Sequence, residues 1–384
     1  MKKLLVCLLA ICVAVPLQAR RPSKKRIAAF ERQIEEFRKD IENVGLSVAL
    51  VLNNKIVYTQ QFGVKNIETQ EPVKENTLFR IASISKSFTT TGLLQLVEQG
   101  KVSLTTDVSQ LAGFTIRNPK YPDTVITLEM LLSHTSSIND SQGYYTTLDV
   151  INPDKNPDYA KCYNNYEPGK GYEYCNLNLN LSGSFLEKLS GERFDQYVVK
   201  HILRPLGLYG GYCVDSLDAG RFASLYEYRD GKYECTDQSA YNPRSQEISQ
   251  YVRGRDAILF SPTGGMKMSA KDLAKYMLVH MNYGTSPQGV KIIPEELSKS
   301  MQVPRSTDEN YGLSLWTTDE YSPGVVLVGH TGGAYGMRSA MFFNPEKKYG
   351  FVMMSNGARA RAKDKKTNII KGVLQRMYDN FVRK

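Results

Sequence analysis

The stretch FRIASISKSFT, residues 79–89, places a serine and a lysine three positions apart at the start of a long apolar segment. Residues 83–98 are mostly apolar or small on every face, and Gly100 follows, as is typical beyond a helix end. Such a composition predicts a central helix that is buried by packing. Residues three apart lie on one helix face, so Ser83 and Lys86 are predicted to be within reach of each other.

This pair has the parts of an activated nucleophile. A serine hydroxyl attacks poorly at neutral pH unless a base takes its proton. Lys86 can be that base only when neutral, so burial would have to lower its pKa from about 10.4. The start of a helix also offers free backbone N–H groups near Ser83, which favour an oxyanion. Ser-x-x-Lys alone arises by chance, so its place at the head of an apolar helix is what matters.

Tyr174-Cys-Asn176 follows Pro168-Gly169 in a stretch predicted to be a loop. A tyrosine beside a lysine can share proton transfers, and an asparagine amide can donate to the region of a substrate carbonyl. By itself the cluster is weak, because the chain contains 24 tyrosines.

His330, Thr331, Gly332 and Gly333 are predicted to end a strand. Glycines there let a substrate backbone approach and leave N–H groups available for half of an oxyanion hole. His330 is either a polar wall of the site or an ordinary strand-end histidine.

The rest of the chain supplies strands at both ends. An apolar stripe, Ile27 to Ile41, predicts a first helix, and residues 46–52 and 55–62 predict a hairpin. The last quarter has four predicted strands and a final helix; the strands are Tyr311–Trp316, Val325–Gly329, Ser339–Asn344 and Gly350–Ser355, and the helix carries Ile370, Leu374, Met377 and Phe381.

These elements predict an α/β (α+β) fold, with an antiparallel sheet built from both chain ends and flanked by helices. Residues 20–82 plus 291–384 are assigned to the sheet domain. Residues 83–290 are assigned to an inserted, mostly helical lobe that carries Ser83, Lys86 and Tyr174. The active site is expected in the crevice between the two.

The three clusters and their surroundings resemble the serine β-lactamase and penicillin-binding-protein superfamily. The class C β-lactamase-like group of esterases and D-amino-acid peptidases is the nearer match, from about Leu46 to Asn356. The segments that carry the resemblance are FRIASISKSFT, ITLEMLLSHTSSI, PGKGYEYCNLNLNLSGSFLEKLSG, SPTGGMKMSAKDLAKYM and GHTGGAYGMRSAMFFNPEKKYGFVMMSN.

The resemblance implies a role for each matching residue. Ser83 would be the acylated nucleophile, Lys86 its proton acceptor, and Tyr174 the base in one half-reaction and the acid in the other. Asn176 would orient the substrate amide. The backbone N–H groups of Ser83 and Gly333 would form the oxyanion hole.

The sequence departs from the group at two positions. His330 stands where β-lactamases usually have a lysine that holds a substrate carboxylate, and histidine is mostly neutral at pH 7. Arg338 is a candidate to restore that charge, or else a surface arginine. Ser137 stands where the group usually has glycine after HTS, and nearby His134 is expected to be structural.

The expected function is therefore a serine hydrolase that cleaves an amide or ester through an acyl-enzyme, without metal or organic cofactor. D-amino-acid peptides, cell-wall (peptidoglycan) peptides and small esters are the expected substrates. The alternative is a penicillin-binding sensor, or a β-lactamase, that acylates with slow or no turnover. No nucleic-acid module is recognisable.

Residues 1–19 read as a secretory signal peptide: Lys2 and Lys3 precede an apolar run from Leu4 to Val15. We expect a periplasmic or secreted protein with no stable membrane span after cleavage, because the run is too short to cross a bilayer. Lipoprotein anchoring at Cys12 is disfavoured by the bulky Ile11. The formal charge of +10 falls to +8 without the two lysines.

Four cysteines remain after residue 19, namely Cys162, Cys175, Cys213 and Cys235. An even number in an oxidising compartment permits two disulfides, with Cys162–Cys175 and Cys213–Cys235 as the local pairs. Four buried free thiols are the alternative. No Cys–His spacing resembles a zinc site.

Overall fold

The structure is a computed structural model that describes residues 21–236, 240–359 and 368–383. The predicted signal peptide lies outside the described residues. The helices are α1 (Lys24–Asp40), α2 (Ser85–Glu98), α3 (Val108–Ala112), α4 (Leu128–Leu132), α5 (Asn176–Ser190), α6 (Phe194–Val198), α7 (Ser245–Ser249), α8 (Ala270–Met281), α9 (Glu295–Met301) and α10 (Ile369–Met377). The strands are β1 (Gly45–Leu52), β2 (Lys55–Gly63), β3 (Phe79–Arg80), β4 (Gly210–Gly211), β5 (Tyr226–Arg229), β6 (Lys232–Cys235), β7 (Lys267–Met268), β8 (Trp316–Thr318), β9 (Leu327–Ala334), β10 (Met337–Asn344) and β11 (Tyr349–Gly357).

A six-stranded antiparallel sheet joins the two ends of the chain. Its strand order is β2-β1-β11-β10-β9-β8. β1 pairs with β11 from Leu46 opposite Ser355 to Leu52 opposite Tyr349. The prediction of one sheet built from both chain ends is confirmed.

The two faces of the sheet are covered by different helices. Side chains alternate along β1, so Leu46, Val48 and Leu50 pack with α1 and α10, whereas Ala49 and Val51 face the larger core. α8 lies on that second face, where a Cβ added at Gly350 would sit 2.6 Å from Met277 Cε. α8 lies within the range assigned to the helical lobe but contacts the sheet; the domain bounds themselves stay a prediction.

α2 is buried along most of its length, as its composition predicts. Its three consecutive threonines are accommodated by hydrogen bonds: Thr89 donates to Pro262 O at 2.8 Å, and the hydroxyls of Thr90 and Thr91 pair with Ser314 and Tyr276. α5 packs closely on α2, because a Cβ at Gly92 would lie 2.7 Å from Leu186 Cδ1. α2 is therefore anchored by these hydrogen bonds and by its packing on α5.

Two predicted strands differ from the structure. The predicted strand Tyr311–Trp316 is wrong, since only Trp316–Thr318 is a strand. Ser314 has a φ of 57°, and its N–H bonds Leu132 O at 3.0 Å instead of a neighbouring strand. The strand expected to end near His330 runs on to Ala334.

The two expected disulfides are not formed. Cys162, Cys175 and Cys213 are free thiols. Two of these sulfurs face acceptors on other segments: Cys162 Sγ lies 3.6 Å from Val150 O, and Cys175 Sγ lies 3.2 Å from Asp140 Oδ1. Of the helices in the described ranges, none is long and apolar enough to cross a membrane.

Candidate active site

Ser83 lies in a 3₁₀ turn, Ala82–Ile84, directly before α2. Ala82 has a φ of 45°, which is strained for a residue with a side chain and turns the chain sharply at the nucleophile. Lys86, on the first turn of α2, donates to three oxygens: Ser83 Oγ at 3.1 Å, Asn176 Oδ1 at 2.9 Å and Thr263 O at 3.1 Å. The structure thus brings together the predicted nucleophile and base.

The charge of Lys86 is set by burial. The side chain has no exposed surface, and this burial lowers the pKa of the amine to about 7. The carboxylate of Asp140 opposes the shift, because it favours the charged form. A substantial fraction of Lys86 is therefore neutral near pH 7 and able to accept the Ser83 proton.

Tyr174 lies on the other side of Lys86, whose Nζ is 4.7 Å from the centre of the phenol ring. Burial raises the pKa of the Tyr174 hydroxyl well above its usual value, although a hydrogen bond with Ser83 opposes the rise. Part of the ring surface still faces the cavity. Burial thus makes the Lys86 ammonium easier to deprotonate and the Tyr174 phenol harder to deprotonate. Lys86 is therefore the available proton acceptor, and Tyr174 keeps its proton at neutral pH.

Asp140, which the sequence analysis missed, fixes the start of α5. Its carboxylate accepts from the N–H of Asn176 at 3.0 Å, from Asn176 Nδ2 at 2.9 Å and from the N–H of Leu177 at 2.9 Å. This turns Asn176 Oδ1 toward Lys86 and toward Thr263 Oγ1, which donates to it at 3.1 Å. In this arrangement Asn176 positions the base, and its NH₂ group is directed to Asp140.

His134 supports the same region without charge. Its Nδ1 accepts from the N–H of Cys175 at 3.2 Å, and its ring centre is 4.4 Å from that of Tyr174. Burial holds the pKa of His134 well below its usual value. His134 therefore acts as a neutral support for Tyr174. Ser137, three residues on, has a φ of 62°, a conformation that glycine adopts more easily.

His330 is buried and neutral. Its Nδ1 lies 2.5 Å from Thr331 O and its Nε2 lies 3.0 Å from the Tyr311 hydroxyl. A carbonyl oxygen only accepts, so Nδ1 carries the hydrogen and Nε2 accepts from Tyr311. Burial, with a contribution from Lys86, lowers the pKa of His330 to about 3. His330 thus brings no positive charge to the site at neutral pH.

The edge of β9 faces the nucleophile. Ala334 pairs with Met337 across the two-residue turn Tyr335-Gly336, in which both φ angles are positive, at 50° and 81°. The residues that flank such a turn, here Ala334 and Met337, exchange backbone hydrogen bonds. The next pair, Gly333 and Arg338, therefore does not, and the N–H of Gly333 points away from β10. β8 covers β9 only as far as Gly329.

β9 approaches the turn that carries Ser83 very closely, which explains why residue 332, directly before Gly333, is a glycine. A Cβ added at Gly332 would overlap Ile81 O and Ser339 Oγ. Ser83 and Gly333 line the same two cavities. Both residues therefore border the same space; that their backbone N–H groups form one oxyanion hole stays a prediction.

Ser83 stands where two cavities meet. The larger, about 690 Å³, also contains Tyr174, Asn176 and Gly333. The smaller, about 360 Å³, contains His330 and Thr331 beside tyrosine rings. Arg338 lines neither: it faces a separate cavity beside Glu227, and its Nη1 donates to Met337 O at 2.8 Å. Thr331, Gly332 and Gly333 line that cavity too, so Arg338 lies beside the predicted β9 residues, opposite Gly333, but outside the cavities that Ser83 lines.

Residues 30–374 match the sequence model of the β-lactamase family. This chain belongs to that family. The match includes every residue placed at the site above.

Individual relatives are distant. Protein flp of Staphylococcus aureus (strain MW2) is 23% identical over 329 residues, which cover 81% of this chain and 59% of flp, so the chain spans little more than half of that relative. The octameric penicillin-binding-protein homologue of Pyrococcus abyssi has a TM-score of 0.70 at 26% identity, covering 87% of this chain and 74% of its own. The D-amino acid amidase of Ochrobactrum anthropi SV3, solved with D-phenylalanine, has a TM-score of 0.70 at 20% identity, covering 93% and 98%.

Three contributors to this β-lactamase-family site escaped the sequence analysis: Asp140, Thr263 and Tyr311. Asp140 and Thr263 lie 36 residues before and 87 residues after Asn176, so no local spacing links them. Tyr311 falls in the segment wrongly predicted as a strand. Within residues 21–236, 240–359 and 368–383, no group of His, Cys, Asp and Glu is arranged to hold a metal ion.

Proposed function

We propose that the protein is a secreted or periplasmic serine hydrolase that cleaves an amide or ester bond through an acyl-enzyme on Ser83. The observation that carries the proposal is the contact between Lys86 Nζ and Ser83 Oγ at 3.1 Å, made by a fully buried amine whose pKa lies at about 7. The signal-like residues 1–19 support the location.

The proposed reaction has two halves. Ser83 Oγ forms a bond to the substrate carbonyl carbon while its proton passes to Lys86, and the N–H groups of Ser83 and Gly333 hold the resulting oxyanion. The bond to the leaving nitrogen or oxygen then breaks, and Tyr174 or Lys86 protonates it. A water molecule next gives its proton to the same pair and attacks the ester, which releases the acid and restores Ser83.

Peptides that contain D-amino acids, cell-wall peptides and small esters are the proposed substrates. The fold likeness to a D-amino acid amidase supports this class. The neutral state of His330 argues against a substrate carboxylate held at that position.

Covalent labelling tests the nucleophile. A fluorophosphonate probe should add one label to the mature protein, mapped to the peptide containing Ser83, and Ser83→Ala should abolish it. Ser261→Ala is the matched control, since Ser261 lines the same cavity and should leave labelling intact. Label that persists at another residue in Ser83→Ala would refute the assignment.

Turnover separates the hydrolase from the sensor. Under the proposal, chromogenic esters and D-amino-acid amides are hydrolysed through many cycles. A stable acyl adduct with a β-lactam or an ester, followed by no further product, would favour the penicillin-binding sensor instead. Sequencing the N-terminus of exported protein tests the location, with a start near Arg20 expected.

A further inference from the structure

The larger Ser83 cavity contains a pair of cations that the proposed reaction does not use. Arg80 and Lys267 both line it. They stand opposite each other where β3 pairs with β7, so their side chains are near neighbours. Like charges placed directly across two strands are unfavourable unless something else balances them.

Neither cation has a carboxylate partner in the described part of the chain. Lys267, 8% exposed, donates to Tyr212 O at 3.1 Å, which uses one of its three hydrogens when charged. Arg80 donates through Nε to Gly264 O at 2.9 Å, and no described acceptor bonds its two Nη groups. The cavity thus presents a guanidinium fork and a buried amine with donors to spare. Burial and the neighbouring Arg80 lower the pKa of the Lys267 amine to about 7, and a carboxylate bound beside it would favour the charged form.

The surrounding groups leave these donors available. Asp215 lines the same cavity, but its carboxylate accepts from the N–H of Arg244 at 3.0 and 3.2 Å and from the Ser245 hydroxyl. The ring of Tyr335 lies under the Arg80 guanidinium, 5.1 Å from its centre, and fixes the plane of the fork. A planar fork of this kind matches a carboxylate in two parallel hydrogen bonds.

We propose that Arg80 and Lys267 form an anion-binding subsite that holds a carboxylate of the substrate while Ser83 attacks the scissile carbonyl. The proposal rests on the proposed hydrolase function and narrows its substrates to anionic amides or esters. It also accounts for a neutral His330: the positive charge of the site lies in the larger cavity, at Arg80 and Lys267.

Two matched pairs of esters test it. In the first, the acyl group carries the charge: mono-p-nitrophenyl glutarate is compared with its methyl ester. In the second, the leaving group carries it: the N-acetyl-D-alanyl thioester of thioglycolate is compared with that of methyl thioglycolate. In at least one pair the anionic member should have the higher kcat/KM. Lys267→Met and Arg80→Gln should each reduce the anionic-to-neutral ratio about tenfold or more, as expected for losing a charged hydrogen bond.

Two control variants test whether the preference for anionic esters depends on a positive charge at position 267. Lys267→Arg should retain the preference, and Lys291→Met, which removes an exposed lysine paired with Glu98, should leave the ratio unchanged. Equal rates within both pairs, or a preference that survives both Lys267→Met and Arg80→Gln, overturn the subsite while the hydrolase stands.

Melting temperatures measured with a bound anion test the anion-binding subsite independently of the proposed hydrolase activity. Glutarate should raise the melting temperature of the wild-type protein, glutaramide should not, and Lys267→Met should lose the glutarate response. If no ester is hydrolysed, the proposed function fails and the melting temperatures decide the subsite: absence of a glutarate shift in the wild type overturns it.

Discussion

The amine of Lys86 is subject to two opposing effects. Three oxygens surround it within 3.1 Å and would each accept from an ammonium, but complete burial removes the water that stabilises the charge. Burial is the larger effect and lowers the pKa to about 7. A residue that could only hold a substrate as a permanent cation becomes one that exchanges a proton at neutral pH.

This pKa predicts the pH dependence of acylation. Lys86 accepts the Ser83 proton only when neutral, so kcat/KM for a neutral ester should rise with pH and reach half its plateau near pH 7. One unit lower, at pH 6, the rate should be about tenfold below the plateau. Stopped-flow hydrolysis of p-nitrophenyl acetate between pH 5 and 9 measures it. A flat profile over that range would contradict the role of Lys86 as base.

Local spacing was enough to predict this pair, because residues three apart on a helix meet whatever the rest of the fold does. The same does not hold for Arg80 and Lys267. They meet only because β3 pairs with β7, and each strand is two residues long. Such short strands have no sequence pattern, so the pairing follows from tertiary packing alone.

At the scale of elements, α5 depends on a residue outside it. Its first N–H groups lack partners within the helix, and Asp140 supplies a carboxylate to two of them. The same carboxylate lies close enough to Lys86 to favour its charged form. One side chain thus fixes the start of α5 and tunes the base.

Asp140→Asn should differ from a substitution at an exposed aspartate in two properties, the free energy of unfolding and the pH dependence of kcat/KM. The free energy of unfolding should fall by about 1–3 kcal/mol, because charged hydrogen bonds to a helix start are lost. Removing the negative charge should also lower the pKa of Lys86 further, which moves the acid limb of kcat/KM to lower pH. Urea unfolding and the pH profile measure these effects.

Asp158→Asn is the matched control, since Asp158 is an exposed aspartate paired only with exposed Lys161. It should change the free energy of unfolding by less than about 0.5 kcal/mol and leave the pH profile in place. If Asp140→Asn changes the free energy of unfolding and the pH profile no more than this control does, Asp140 neither fixes the start of α5 nor tunes the pKa of Lys86.

Whole elements were predicted where periodicity is strong. α1, the first hairpin and the β10–β11 strands follow their apolar patterns closely. The segment before β8 was wrongly predicted as a strand because it is apolar, but its side chains serve different partners: Tyr311 bonds His330, and Ser314 bonds Thr90. Tertiary contacts there override the local preference.

Over the whole molecule, the sheet separates two cores. One lies between the sheet and the helices α1 and α10, and the other contains α2, α5 and α8. Ser83 and Lys86 are beside the second core. The pairing of β1 with β11 follows from strands at both chain ends, which is why the sequence predicted it, whereas the division of the core depends on which helix covers which face.

Because the sheet lies between the two cores, a substitution at Phe37 should lower the free energy of unfolding without changing kcat/KM. Its ring is 4% exposed, lies 4.3 Å below the Arg376 guanidinium and fills the space left by Gly372 between α1 and α10. Phe37→Ala should lower the free energy of unfolding by about 3–5 kcal/mol through the cavity it leaves. The kcat/KM of the folded fraction should stay that of the wild type, since the sheet stands between Phe37 and Ser83. Val326→Ala, at a residue directly before β9 that is 56% exposed, is the control and should change little. Loss of kcat/KM in folded Phe37→Ala, measured in urea well below the unfolding midpoint, would show that the two cores are coupled through the sheet.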